Sequence, residues 1–341
     1  LTVSERMGRV MPSATSAVLG LAAELREAGR PVISLGAGEP DFDTPDHIKA
    51  AAIQAIHDGE TKYTAIDGTS HLKAAIQRKF ERDNQLAYAP EQILVSVGAK
   101  HTLFNACMAI LGPGDEAIIP APYWVSYPDM VRVADGTPVV IDTGIEDGFK
   151  VTPEKLAAAI SDRTRLLFLN SPSNPTGSCY TRDELVALGE VLKQHPNIVV
   201  LADDIYEHIH WAEEPFCSIA TACPDLYDQV VTINGVSKCY AMTGWRVGYA
   251  GGPPEVIKAM KTIQSQITSN PCSISQVAAG AALDGDQACM EPMLKAYKAR
   301  SDYVVQALND IPGFECREGE GAFYAFPRVT EAMAAKGMET D

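Results

Sequence analysis

The chain has 341 residues, of which 46% are apolar and 21% charged. At roughly 150 residues per domain, that length and balance predict about two globular domains. Basic side chains number 28 against 44 acidic ones, a net charge of -16, which argues against nucleic acid or an anionic membrane surface as partner, since both need a basic face.

No apolar run reaches the ~20 residues of a membrane helix. Arg6 and Arg9 precede the small apolar run 16–23, which imitates a short signal peptide. Pro12 interrupts it and Glu24 and Arg26 follow at once, so it reads as a short amphipathic helix starting near Ser13. Thr44 and Pro45 open the next helix as N-cap and first-turn proline, and Gly59 closes it. Leu72, Ala75, Ile76 and Phe80 mark another by their spacing. Seven short apolar runs follow: Ile93–Val97, Ala117–Ile119, Pro138–Ile141, Leu166–Leu169, Ile198–Leu201, Val230–Ile233 and Val247–Ala250. They are too short for helices and are bounded by turn residues, so they predict a buried, mainly parallel sheet. Helical patterns such as His101–Leu111 and Thr181–Lys193 lie between them, which makes the fold α/β.

From about residue 290 the pattern changes. Leu294, Tyr297, Val304 and Leu308 give one long amphipathic helix, and Gly321–Phe326 reads as a strand. The reading is a large domain over 45–290 and a smaller α+β domain made of 1–44 and 291–341. The chain opens on Leu and closes at Asp341 soon after that strand, so the smaller domain reads as truncated. The eight cysteines are scattered without a Cys-x-x-Cys pair, as in reduced thiols of a cytoplasmic protein.

Ligands of open α/β sheets bind beyond the carboxyl ends of the strands. After the first strand come Gly98, Ala99 and Lys100 at a helix start, either a phosphate cradle or a plain tight turn. After the fourth, Asn174 sits in a Pro-rich loop as a polar hook or an ordinary turn residue. After the fifth come Asp203, Asp204 and Tyr206; Asp203 either caps a helix or meets a cationic partner. After the sixth come Ser237, Lys238 and, eight residues beyond the lysine, Arg246. A Lys among apolar residues loses its proton more readily and becomes a nucleophile toward carbonyls, although alone it would be a surface charge. A carboxylate, a lysine, a hook amide and an arginine on one sheet edge are the set that pyridoxal phosphate requires.

The resemblance is then specific. Gly36-Ala-Gly38-Glu-Pro-Asp-Phe-Asp-Thr-Pro45, Thr61-Lys-Tyr63-Thr, Pro122-Tyr-Trp124-Val-Ser-Tyr127, Ser171-Pro-Ser-Asn174-Pro-Thr-Gly177, Asp203-Asp-Ile-Tyr206-Glu-His208 and Ser237-Lys238 through Gly-Trp-Arg246 occur in order over residues 36–252, and Gly321-Ala-Phe-Tyr324 continues them. The chain resembles a fold-type-I, class I pyridoxal-phosphate aminotransferase of the bacterial aspartate/prephenate group. The resemblance implies that Lys238 forms the Schiff base with the cofactor and then acts as general base. Asp203 pairs with the ring nitrogen, Tyr206 and Asn174 bond the ring oxygen, and Trp124 stacks on the ring. Gly98, Ala99, Ser237 and Arg246 hold the phosphate with Lys100 beside them, and Tyr63 reaches the phosphate of a neighbouring subunit in a homodimer. Gly38, Thr44, Lys100, Trp124 and Asn174 face the substrate, an amino acid or 2-oxo acid such as aspartate or glutamate, with prephenate a further acceptor. The family's arginine for the substrate α-carboxylate has no matching motif here; Arg317 and Arg328 stand out of context, so cofactor binding with weak transamination is expected.

Four rival readings stand beside it. Asp203, Asp204, Glu207, His208 and His210 are dense enough for a metal-dependent hydrolase. Gly36-x-Gly38 lacks the third glycine of a dinucleotide fingerprint. Ser70-x-x-Lys73 imitates an acyl-enzyme motif but sits in a helical pattern and reads as surface. A non-catalytic ligand-binding domain of the same fold is the last alternative.

Overall fold

The computed structural model describes residues 1–340. Its centre is one seven-stranded sheet: β1 (Ile93–Ser96), β2 (Glu116–Ala121), β3 (Thr137–Asp142), β4 (Thr164–Asn170), β5 (Val199–Asp203), β6 (Val230–Gly235) and β7 (Gly248–Gly251). The spatial order is β1-β7-β6-β5-β4-β2-β3. All neighbours are parallel except β7, which runs against both β1 and β6. All seven strands predicted for the sheet are therefore present.

Apart from the edge strand β3, the strands are mostly buried apolar runs because both faces of the sheet are covered. Leu167, Leu169, Val200 and Val230 belong to one core, packed with Leu72, Ile76 and Phe80 of the helix Ser70–Asn84 and with Leu185 and Leu188 of Arg182–Leu192. The alternate residues Leu166, Phe168, Leu201 and Val231 belong to the other, packed with Leu103 and Ala106 of Ala99–Ile110 and Ile257 and Met260 of Pro254–Ser265. Successive side chains point to opposite faces, so a strand buried on both sides carries no polar alternation.

Local signals explain several element boundaries. Ser13 caps Ala14–Glu27 by accepting from Ser16 N (3.3 Å). Thr181 and Glu184 form a reciprocal capping box at the start of Arg182–Leu192. Two boundaries differ from the reading above. The second helix, Asp46–His57, has Pro45 as its N-cap without a side-chain bond; the Thr44 hydroxyl is drawn away to the Ala241 carbonyl (2.6 Å). Gly321–Phe326 is not a strand. Its only ladder contact is an isolated bridge from Gly321 to His210, with Ala322 N donating to Ile209 O (2.8 Å). Its aromatic residues turn instead toward Tyr206 and toward Tyr297 of the long helix Glu291–Asn309. On that helix the predicted face is partly right: Tyr297 is buried, but its buried companions are Met293 and Val305.

Candidate active site

The parallel strands send their carboxyl ends to one edge, and there a cavity of about 860 Å³ opens. Gly38, Ala99, Lys100, Trp124, Asn174, Asp203, Tyr206, Ser237, Lys238 and Arg246 all line it. Ten of the residues singled out in the sequence thus converge from six separate segments. Gly98 stands directly behind them, since a Cβ there would lie 2.4 Å from Arg246 Nη2.

Lys238 follows β6, and its ammonium donates to the Gly38 carbonyl (2.5 Å). Burial pushes its pKa down to about 8, the Arg246 charge adds to this, and Glu39 and Asp203 oppose it. Desolvation disfavours the charged form of an amine, so a neutral nucleophile becomes accessible near physiological pH. Asp203, at the end of β5, is 4% exposed. Burial raises its pKa to about 6, against the pull of the Tyr127 hydroxyl, the Ile205 amide and Lys238. One oxygen accepts from Tyr127 (2.6 Å); the other, Oδ1, is buried with no partner. A buried unpaired carboxylate oxygen is costly unless a donor arrives. A protonated ring nitrogen would supply that donor.

Opposite lies an anion cradle. Gly98 has φ +82° and leads into the helix Ala99–Ile110, whose first amides are free of intrahelical partners. Arg246, itself at φ +56°, donates to the Thr243 carbonyl (2.9 Å) and pairs with no carboxylate among the described residues. The unpaired acid oxygen, the softened lysine and the cradle fit a planar ligand with a cationic nitrogen, a carbonyl carbon and a phosphate.

Also lining the cavity, Lys100 Nζ lies 5.1 Å from the Trp124 ring centre and donates to Ser126 Oγ (3.2 Å). Burial and the Arg246 charge lower its pKa.

Two predicted residues are not brought in. Thr44 spends its hydroxyl on Ala241 O and accepts from Trp245 Nε1 (3.0 Å). It supports the wall from behind. Tyr63 is 92% exposed and lies outside the cavity. Arg317 and Arg328 do not line the cavity either; Arg328 pairs with Glu146 and Glu315.

Sequence reasoning passed over Tyr127, Asn170 and Tyr324. Asn170 ties two segments, donating to Asp203 O (2.7 Å) and accepting from Asn174 N (2.7 Å). The Tyr324 hydroxyl meets Tyr206 Oη (2.5 Å) and accepts from Asn174 Nδ2 (3.3 Å). Tyr127 and Tyr324 stand inside matched motifs, which was the available signal.

The hydrolase reading is not supported. Asp203 faces the cavity, whereas Asp83, Glu207 and His208 form a separate cluster. Two of its carboxylates already face the ammonium of Lys79, which contacts Glu207 and lies 3.9 Å from Asp83. Ser70-x-x-Lys73 is no surface motif: Lys73 is buried and paired with Asp67 (2.7 Å).

A doubly covered, mainly parallel sheet with this lysine, acid and cradle at its carboxyl edge defines a group-transfer enzyme. The profile of the family described as "Aminotransferase class I and II" matches residues 30–339, and the chain belongs to that family. It is 56% identical over 334 residues to the aspartate/prephenate aminotransferase of Nitrosomonas europaea, covering 98% of this chain and 84% of the relative. It is 57% identical to the enzyme of the same name from Cereibacter sphaeroides, over 96% and 82% of the two chains. Among solved structures, the aspartate aminotransferase from Rhizobium meliloti superposes with a TM-score of 0.94 at 51% identity, covering 97% of this chain and 83% of that one. The Thermus thermophilus aspartate aminotransferase with maleate gives 0.91 at 43% identity, over 96% and 85%.

Proposed function

We propose that the chain transfers amino groups between a dicarboxylic amino acid, aspartate or glutamate, and a 2-oxo acid, using pyridoxal phosphate, with prephenate as a further acceptor. The observation that carries this is the pairing of the unpartnered Asp203 Oδ1 with the softened Lys238 in one cavity. The names of the relatives support the substrates. Lys100 beside Trp124 offers a cation for a distal carboxylate.

When bound, pyridoxal phosphate supplies an electron sink for the charge that develops at the substrate Cα. Arg246 and the amides after Gly98 bind its phosphate. Asp203 accepts the ring N–H on Oδ1 and so holds the proton there, while Tyr127 keeps the carboxylate turned. Asn174, Tyr206 and Trp124, which line the same cavity, would hold its ring. Lys238, which donates to the Gly38 carbonyl, would be the base that takes the proton from the substrate Cα. Two such half-reactions give ping-pong kinetics.

The exposed Tyr63 fits a homodimer in which it reaches the partner's cavity. Residues 45–290 serve as the cofactor-binding domain, with 1–44 and 291–341 as a smaller one. The eight unpaired thiols fit the cytoplasm. No helix among the described residues is long and apolar enough to cross a membrane.

The test is the visible spectrum of the protein with pyridoxal phosphate, before and after aspartate or glutamate. Conversion of the bound band to that of the aminated cofactor is expected. Lys238→Ala should lower turnover by about a thousandfold or more. A band that neither donor changes, or substantial transamination by the variant, would sink the proposal.

A further inference from the structure

Behind the cavity wall lies a charged network that the chemistry above does not use. Lys79, on the helix Ser70–Asn84, is 1% exposed. Its ammonium contacts Glu207 and donates to Asn84 Oδ1 (2.7 Å). Glu207 Oε2 accepts from Asn84 Nδ2 (2.7 Å) and Oε1 from Asn234 Nδ2 (2.7 Å). Asp83 Oδ2 stands 3.9 Å from the ammonium, and His208 Nε2 lies 3.3 Å from both Asp83 and Glu207.

The network touches two backbones, and these carry the two central residues of the site. Glu207 belongs to the turn after β5, closed by Glu207 N donating to Asp204 O (2.9 Å) and Ile209 N to Tyr206 O (2.8 Å). That turn presents Asp203 and Tyr206 to the cavity on its other side. Asn234 sits near the end of β6 and accepts from Gly235 N (2.7 Å); four residues beyond it comes Lys238. One carboxylate thus grips both strand ends from behind, and Lys79 anchors it to the helix.

We propose that Lys79 and Glu207 are positioning residues, a buried clamp that sets the separation of Asp203 and Lys238 without touching the ligand. The proposal rests on the cofactor site described above. Removing one charge alone would leave the other buried and unpaired, so the informative variant removes both. Lys79→Met combined with Glu207→Gln keeps the volumes and is expected to melt near the parent. Its dissociation constant for pyridoxal phosphate should rise about tenfold. The pH midpoint of the bound cofactor's visible band should move by about half a unit or more. A merely structural pair would lower the melting temperature without moving that midpoint.

Unchanged affinity and midpoint in the folded double variant would overturn the clamp. If that variant fails to fold, Asn234→Ser decides, since it removes the bond to Glu207 and the local Gly235 amide contact while leaving the Lys79–Glu207 pair in place. A shifted midpoint supports the clamp and an unchanged one rejects it. A parent protein that shows no cofactor band at all would instead remove the site reading, and the clamp would fall with it.

Discussion

Asp203 shows how a site trades stability for chemistry. Its pKa is raised in the fold to about 6 because burial outweighs the Tyr127 and Ile205 hydrogen bonds. An acid whose folded pKa lies above its unfolded value of 3.8 costs stability where it must be charged. That cost is fully present above pH 6, shrinks as pH falls between the two values and is absent below the lower one. Asp203→Asn keeps the Tyr127 bond and removes the charge. The cofactor-free variant should therefore be more stable at pH 8, by about 1–3 kcal/mol, with the gain fading toward pH 4. Turnover should fall, because an amide cannot hold the ring proton. Urea unfolding at both pH values checks the first part; equal stability of variant and parent at pH 8 would refute it. Asp203 and Lys238 were legible in the sequence because each follows an apolar strand. Tyr127 and Tyr324 were not, because a tyrosine in an apolar motif reads equally well as core, and only the third dimension shows where its hydroxyl ends.

At the scale of elements, the seven strands were legible because each is a short, mostly apolar run, and all but the edge strand β3 are largely buried in a sheet covered on both faces. The segment Gly321–Phe326 has the same composition for a different reason. Its apolar side chains fill the space between the cavity and the helix Glu291–Asn309, and no neighbouring strand is there to pair with it. Thr44 misled in the same way, since a Thr-Pro helix start says nothing about a distant carbonyl that competes for the hydroxyl. The junction between β1 and Ala99–Ile110 carries the clearest element-scale prediction. Gly98 has a positive φ, and a Cβ would strike both the left-handed preference and Arg246. Gly98→Ala should cost about 1–2 kcal/mol of stability and displace the guanidinium from the cradle. Affinity for pyridoxal phosphate, measured by fluorescence titration, should fall about tenfold. Thr181→Ala is the control: loss of that capping box should cost about 1 kcal/mol and leave the affinity alone. Equal losses of affinity in both variants would mean that the cradle is no more than part of general stability.

At the scale of the molecule, the site as one chain builds it is asymmetric in what it supplies. The acid, the lysine and the cradle come from one sheet edge, yet Tyr63, from a stretch matching the same family, points into solvent. A single exposed tyrosine needs no explanation by itself, but one that stands in a family motif and lies outside its own cavity is free to meet a second chain. In a two-fold dimer, a residue that serves the partner's site does so reciprocally. This gives a decisive mixing experiment. A Lys238→Ala chain lacks the nucleophile, and a Tyr63→Ala chain lacks the tyrosine. If Tyr63 acts across the interface, a hybrid has one site with neither residue and one with both. Random re-association of equal amounts should then restore about a quarter of the parent's sites, because half of the dimers are hybrids with one intact site each. If Tyr63 served its own cavity, every lysine-bearing site in the mixture would still lack the tyrosine. Activity would then stay at the level of the Tyr63→Ala protein diluted by its partner. Recovery on mixing, absent when the chains are kept apart, therefore separates a shared site from a self-contained one.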